Sequence, residues 1–174
     1  MNDADGLAGR LFERHGRSVR QYLRALTGRT DLADDLAQDV FVRVVQSAGG
    51  YEPREQERAW LFRIARNAAI DYRRRAAVRP RAAGATHEPA TAPVQALRSA
   101  LAEALGRLPD TEREALLLAE LGGLSYAEIA LTLGLTPAAV RSTLYRARLS
   151  LRAALPPPSP IGSATARTGH DDDD

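Results

Sequence analysis

A chain of 174 residues can hold one medium domain or two small ones, and with only 5% aromatic content its core must be built mainly from Leu, Ala, Val and Ile. It has no cysteine, which excludes a disulfide framework, a thiolate zinc site and a cysteine nucleophile; His15, His87 and His170 are too scattered to form a metal site, so neither a metal nor another cofactor is expected. The formal charge of +2 understates a basic body, because four aspartates at residues 171–174 offset it, and every cation is an arginine, a pattern that suits bidentate phosphate and guanine contacts and suits a GC-rich coding bias equally well.

From residue 7 to about residue 75 the pattern is helical. Val19, Tyr22, Leu23 and Leu26 share one face, and Gly28 ends that helix. Asp31 is placed to cap the next helix, which runs to about Val45 with Leu32, Leu36, Val40 and Val44 as its buried ridge. On the neighbouring ridge Asp31, Asp35 and Asp39 repeat at every fourth residue, with Asp34 and Gln38 beside them. An acidic stripe on a basic protein is either a docking face for a cationic partner or a solvated face whose acids favour the helix N-terminus.

The run Gly49-Gly50-Tyr51-Glu52-Pro53 reads as a loop, followed by a helix over residues 58–75. Its buried stripe is Leu61, Ile64 or Ala65, Ala68 and Tyr72. A second face lines up Trp60, Arg63, Asn67 and Arg74, which together offer a stacking surface, a hydrogen-bonding amide and phosphate contacts. Those are the ingredients of single-strand recognition. The competing reading puts Trp60 in the core and leaves the arginines merely solvated.

Residues 76–96, rich in Ala, Pro, Arg and Thr, have no sustained period and read as a flexible linker. Helical patterning resumes over 97–155, and Pro156-Pro157-Pro158-Ser159-Pro160 ends it, leaving a disordered tail over 156–174. Within the second segment Ile129, Ala130 and Leu133 make one apolar stripe, and Val140, Leu144, Ala147 and Leu151 make another. Gly134 sits where the first helix must stop, Thr136 offers a cap hydroxyl and Pro137 suits the first helical position. With that stripe buried, Ala138, Arg141, Ser142 and Tyr145 face outward, where a helix-turn-helix presents side chains to the major groove. The expected fold is all-α, with two small helical domains over 1–75 and 97–155.

Four motifs then stand in order: Asp31-Leu-Ala-Asp-Asp35-Leu-Ala-Gln38-Asp39-Val-Phe41, Trp60-Leu-Phe-Arg-Ile-Ala-Arg-Asn67, Leu108-Pro109-Asp-Thr-Glu112-Arg113-Glu-Ala-Leu, and the helix-turn-helix. Together they resemble a bacterial sigma factor of the sigma-70 family, in its small extracytoplasmic-function (ECF) group. The resemblance implies a promoter-specificity subunit without enzymatic activity of its own. It assigns Asp35, Gln38, Asp39 and Phe41 to the β′ clamp helices of core RNA polymerase. Trp60, Arg63, Asn67 and Arg74, with the loop 49–58, would engage and open the −10 element. Arg141, Ser142 and Tyr145 would read the −35 duplex, with Arg146, Arg148 and Arg152 on phosphates. Further implied partners are the β flap, promoter DNA and an anti-sigma factor.

Two departures from the family pattern bear on these roles. Asp39 stands where a glutamate is usual, shortening a docking contact. Thr143 stands where a basic residue is common in the recognition helix, and its neutrality is expected to remove a DNA contact. The alternative function is a stand-alone helix-turn-helix regulator that binds duplex DNA without the polymerase. An acid–base enzyme on Asp34, Asp35 and Asp39 lacks a nearby histidine, nucleophile or phosphate loop. With an acidic N-terminus, no h-region and no apolar run near the about 20 residues of a membrane span, a cytoplasmic protein without membrane insertion is expected.

Overall fold

The computed structural model describes residues 3–47, 56–78 and 92–155, and among them every element is a helix. In order these are α1 (Asp3–Thr27), α2 (Thr30–Ser47), α3 (Glu57–Val78), α4 (Ala92–Arg107), α5 (Asp110–Glu120), α6 (Tyr126–Leu133) and α7 (Pro137–Ala154). The all-α expectation is met. The expected linker loses residues to helix at both ends, since α3 continues to Val78 and α4 begins at Ala92. The rest of it, 79–91, lies outside the described residues, as do the loop 49–55 and the tail 156–174.

The first three helices pack on one another, each through the face its period predicts. Leu7, Leu11, Val19, Tyr22, Leu23 and Leu26 of α1 meet the Leu32, Leu36, Val40 and Val44 ridge of α2, all of them buried. From α3 come Leu61, Phe62, Ala65, Ala68 and Ala69, all fully buried. Ile64 and Tyr72, expected in that stripe, are only half-buried against it. The Tyr22 and Phe62 rings meet edge-on, with centroids 5.4 Å apart. That geometry aligns the positive edge of one ring with the negative face of the other.

Asp31 does not cap α2. The helix already begins at Thr30, so Asp31 lies in its first turn, where Arg29 grips it through Nε–Oδ1 at 3.2 Å and Nη2–Oδ2 at 2.5 Å. That ion pair, followed by the backbone N–H of Leu32, holds the Asp31 carboxyl below the ordinary carboxylate range.

Helices α5, α6 and α7 form the second group, with α4 laid against α7. Ala115, Leu116, Leu117, Leu118, Ile129, Ala130, Val140, Leu144 and Ala147 supply its buried side chains. The two groups touch one another. Helix α1 touches α5 and α3 touches α6, and the buried apolar residues of both groups form one connected cluster.

Candidate polymerase and nucleic-acid surfaces

The outward face of α2 carries Asp34, Asp35, Gln38 and Asp39, all exposed. Phe41 is half-buried and meets the Phe12 ring of α1 edge-on at 5.1 Å. Between α1 and α2 runs a groove of about 750 Å³, with Phe12, Phe41, Val42 and Val45 on its walls and Asp34 and Gln38 at its rim. The acidic face and this apolar groove therefore form one continuous surface. Sequence reasoning missed Phe12, Val42 and Val45. The available signal was three large apolar residues lying off the buried stripes of their own helices.

On α3, Arg63, Asn67 and Arg74 are exposed. Trp60 does not share their setting: it is 7% exposed and belongs to the core. The residues packed around it cover the indole in this arrangement, so it offers no open stacking surface here. Along the flank of the same helix Arg66 and Arg73 both reach Glu114 of α5, through Nε–Oε2 at 2.8 Å and Nη2–Oε1 at 3.3 Å. Arg58 donates Nη1 to the Gly123 carbonyl at 2.9 Å. Gly123 has φ +62°, a left-handed backbone that calls for glycine, and a Cβ there would stand 2.9 Å from the movable Arg58 guanidinium. None of these three arginines was singled out from the sequence.

The helix-turn-helix is built as its signals specify. Ser125 caps α6 by accepting from the Glu128 N–H, while the Glu128 carboxylate accepts from the Ser125 N–H at 2.7 Å, a reciprocal capping box. Gly134 ends α6 at φ +67°, ψ +36°, a left-handed conformation that strains any residue carrying a Cβ. Thr136 then accepts from the Ala139 N–H at 3.1 Å, with Pro137 at the start of α7.

Arg141, Ser142 and Tyr145 are exposed, Tyr145 by 69%. With Arg148, Leu149, Arg152 and Tyr126 of α6, Arg141 and Tyr145 line a recess of about 410 Å³. Arg146 and Arg148 are held by acids of α5: Arg146 Nε–Glu112 Oε1 and Arg148 Nη2–Glu120 Oε1, both at 2.9 Å. Intramolecular carboxylates thus orient two guanidiniums on this basic face.

Thr143 is 4% exposed. It lies on the stripe of Val140, Leu144 and Ala147 that packs into the core, and its hydroxyl accepts from Arg146 Nη2 at 3.4 Å. The expectation that its neutrality strips a DNA contact from the recognition face is therefore corrected. This position points inward, so the outer face never included it.

Among the described residues no group of His, Asp and Glu is placed to hold a metal ion, and no helix is long and apolar enough to cross a membrane.

With this geometry the known proteins can be compared. Residues 11–79 match sigma-70 region 2 and residues 98–151 match sigma-70 region 4. The chain is 36% identical to the RNA polymerase sigma factor CarQ of Myxococcus xanthus over 150 residues, 82% of this chain and 85% of that protein. The chain belongs to the sigma-70 family. Its place in the ECF group is seen in 34% identity to the ECF RNA polymerase sigma factor EcfG of Rhodopseudomonas palustris, over 79% of both chains. The solved structure of CnrH in complex with the cytosolic domain of CnrY aligns with a TM-score of 0.66 and 33% identity, covering 84% of this chain and 85% of that one. CnrH itself comes from Cupriavidus metallidurans. This sigma factor is a promoter-directing subunit of RNA polymerase, and the stand-alone regulator is not favoured, because region 2 is matched as well as the helix-turn-helix region.

Proposed function

We propose a division of labour among three surfaces of this sigma factor. The acidic face of α2, with Asp35, Gln38, Asp39 and Phe41, docks on the β′ clamp helices. The outer face of α3, with Arg63, Asn67 and Arg74, captures the non-template strand of the −10 element, and Trp60 braces the upstream edge of the bubble once it is uncovered. The exposed start of α7, with Arg141, Ser142 and Tyr145, reads the −35 duplex, and Arg146 and Arg148 hold its phosphates. Catalysis belongs to the polymerase; this chain contributes recognition and strand opening through binding energy.

The observation that carries this reading is the segregation of charge. Helix α2 exposes carboxylates and no arginine beside the apolar groove, which Arg20 of α1 also lines, while α3 and α7 expose arginines and no carboxylate. A protein surface can use the first arrangement, since its apolar groove gains affinity and its acids steer a basic partner. A nucleic acid repels the acids and attracts the arginines. CnrH is bound by the cytosolic domain of CnrY, and by similarity an anti-sigma factor is a partner proposed for this chain as well.

The test is a binding and footprinting experiment with core polymerase and a set of promoter fragments. Wild type binds core and gives permanganate-reactive thymines near the start site. Arg141→Ala weakens duplex binding, and Asn67→Ala spares it while reducing permanganate reactivity. Equal loss of both steps in each variant refutes the division of labour.

A further inference from the structure

Glu114 is the one carboxylate among the described residues that is buried, at 5% exposed. It lies on α5, in the part of the chain that matches region 4, yet both of its partners, Arg66 and Arg73, lie on α3, in the part that matches region 2. The two arginines are seven residues apart, two helical turns, so their guanidiniums lie along one edge of α3 beside the face of Arg63, Asn67 and Arg74. Each is partly open to solvent, with side chains 25% and 38% exposed. One carboxylate bridging two arginines imitates a phosphate, the other planar or tetrahedral anion that guanidinium forks bind well. Nearby, the Tyr22 hydroxyl is buried without a hydrogen-bond partner, and burial first and the Glu114 charge second push its ionisation up. The site is thus a small polar cluster at the contact between the two halves.

We propose that Glu114 occupies the place of a backbone phosphate of single-stranded DNA, so that the Arg66–Glu114–Arg73 bridge both holds the two halves of the chain together and must be exchanged for DNA phosphate when α3 engages a strand. This rests on the sigma reading of α3 and extends it in two ways. Arg66 and Arg73 become backbone-contacting residues, and Glu114 becomes an internal competitor. The exchange conserves charge pairing: each guanidinium leaves a carboxylate and gains a phosphate oxygen, and the freed carboxylate returns to water. The Arg58–Gly123 bond, a second contact between α3 and the second group of helices, has a neutral acceptor and opens with it.

The free full-length chain tests this without polymerase or promoter, so failure here leaves the sigma reading standing. Because the sequence lacks cysteine, dyes can be placed through Gln21→Cys on α1 and Ser150→Cys on α7, both exposed, and energy transfer between them reports closure. A short oligothymidine is the DNA probe, since a phosphate contact is indifferent to sequence. Wild type shows high transfer that falls as oligothymidine is added. Glu114→Gln, nearly isosteric, shows low transfer from the start and binds oligothymidine about fivefold more tightly, the low end of typical coupling between linked sites. Glu103→Gln makes the same charge change at an exposed position on α4 and reproduces neither effect. The double variant Arg66→Gln/Arg73→Gln also shows low transfer but binds oligothymidine more weakly than wild type. Opposite signs of affinity in two variants that both open the chain separate a phosphate mimic from a merely structural clasp. If Glu114→Gln keeps wild-type transfer, or binds no more tightly than Glu103→Gln, the proposal is overturned. Should the glutamine variant not fold, Glu114→Asp withdraws the charge by one methylene and gives the same two signs at smaller size.

Discussion

Trp60 faces two demands that pull in opposite directions. Its indole is packed into the core here, yet the proposed role in strand opening needs part of it uncovered. Removing it therefore acts first on stability: Trp60→Ala is expected to lower the unfolding free energy by about 3 kcal/mol, the usual cost of truncating a buried aromatic. Urea unfolding measures this, and a loss below about 1 kcal/mol would put Trp60 outside the core. Asn67→Ala, on the exposed face of the same helix, changes stability by less than about 0.5 kcal/mol and so is the cleaner probe of opening. His15 gives a second residue-scale prediction. Burial, then the charge of Arg58, lowers its ionisation below the ordinary 6.5, and these outweigh Glu57, whose Oε1 is 3.9 Å from Nε2 and pulls the other way. The folded chain thus keeps His15 neutral at a pH where the unfolded chain has begun to protonate it. Over that window the unfolded state binds more protons, so stability falls as pH drops through 6.5 and levels off below the folded value. His15→Gln removes this component. The stability difference between wild type and His15→Gln, followed by urea unfolding from about pH 7.5 to about pH 5, shifts in favour of the variant at low pH. A pH-independent difference would show that His15 titrates alike in both states.

At the scale of the element, α6, its turn and the start of α7 form a unit specified almost entirely by local signals. Thr136→Ala deletes one cap acceptor and is expected to cost about 1 kcal/mol. Gly134→Ala forces a Cβ into the left-handed region and costs about 1–2 kcal/mol. Space does not oppose that alanine, since a Cβ there meets nothing within 4 Å, so the cost is purely conformational. Denaturant unfolding of both variants checks the pair; a neutral Gly134→Ala would mean the turn relaxes out of its left-handed state. This local encoding is why the helix-turn-helix was legible residue by residue, down to Thr136, Pro137 and the outward Arg141, Ser142 and Tyr145. Legibility failed in specific ways elsewhere. For Thr143 the comparison with the family pattern misleads, whereas its spacing from Val140, Leu144 and Ala147 places it on the buried stripe. The alanines at 76 and 77 read as linker on composition, but alanine is the best helix former, and α3 simply continues through them. Pro93 similarly reads as a breaker, yet in the first turn of α4 its missing N–H has no partner to lose. Trp60 has a local sign of burial in Ile64 and Ala68 at i+4 and i+8, whereas the burial of Glu114 has no local signature at all. Glu114 sits in the run Asp110-Thr-Glu112-Arg113-Glu114, three acids around one arginine, which looks like any solvated helix start, and only packing of distant segments turns it inward.

For the whole molecule, the connected core makes a claim about cooperativity. Two tethered domains with independent cores unfold independently, and each small core is marginal alone. Here the buried residues of α1, α2 and α3 run without a break into those of α5, α6 and α7, and Glu114 ties the halves across the seam. Because Arg66 and Arg73 stay partly hydrated, the tie is worth less than a fully buried triad, about 1–2 kcal/mol rather than the 3–5 kcal/mol of breaking a sealed pair. That is enough to matter when each half holds only a few kcal/mol of its own. Trp60, the single tryptophan, reports on the first half through its fluorescence, while far-UV circular dichroism averages all the helices. In wild type the two probes are expected to trace one coincident transition in urea, as a single cooperative unit requires. In Glu114→Gln the seam is weakened, and the fluorescence and dichroism curves separate as the halves begin to unfold on their own. Thr136→Ala, which weakens only α7, shifts both probes together in the wild-type background, because the loss is shared through the seam. In the Glu114→Gln background it moves the dichroism curve and leaves the tryptophan curve in place. Non-coincident curves in the wild type would refute the cooperative seam, and a Thr136→Ala shift in tryptophan fluorescence that survives Glu114→Gln would show that coupling runs through the apolar contacts of α1 with α5 and α3 with α6 rather than through the buried carboxylate.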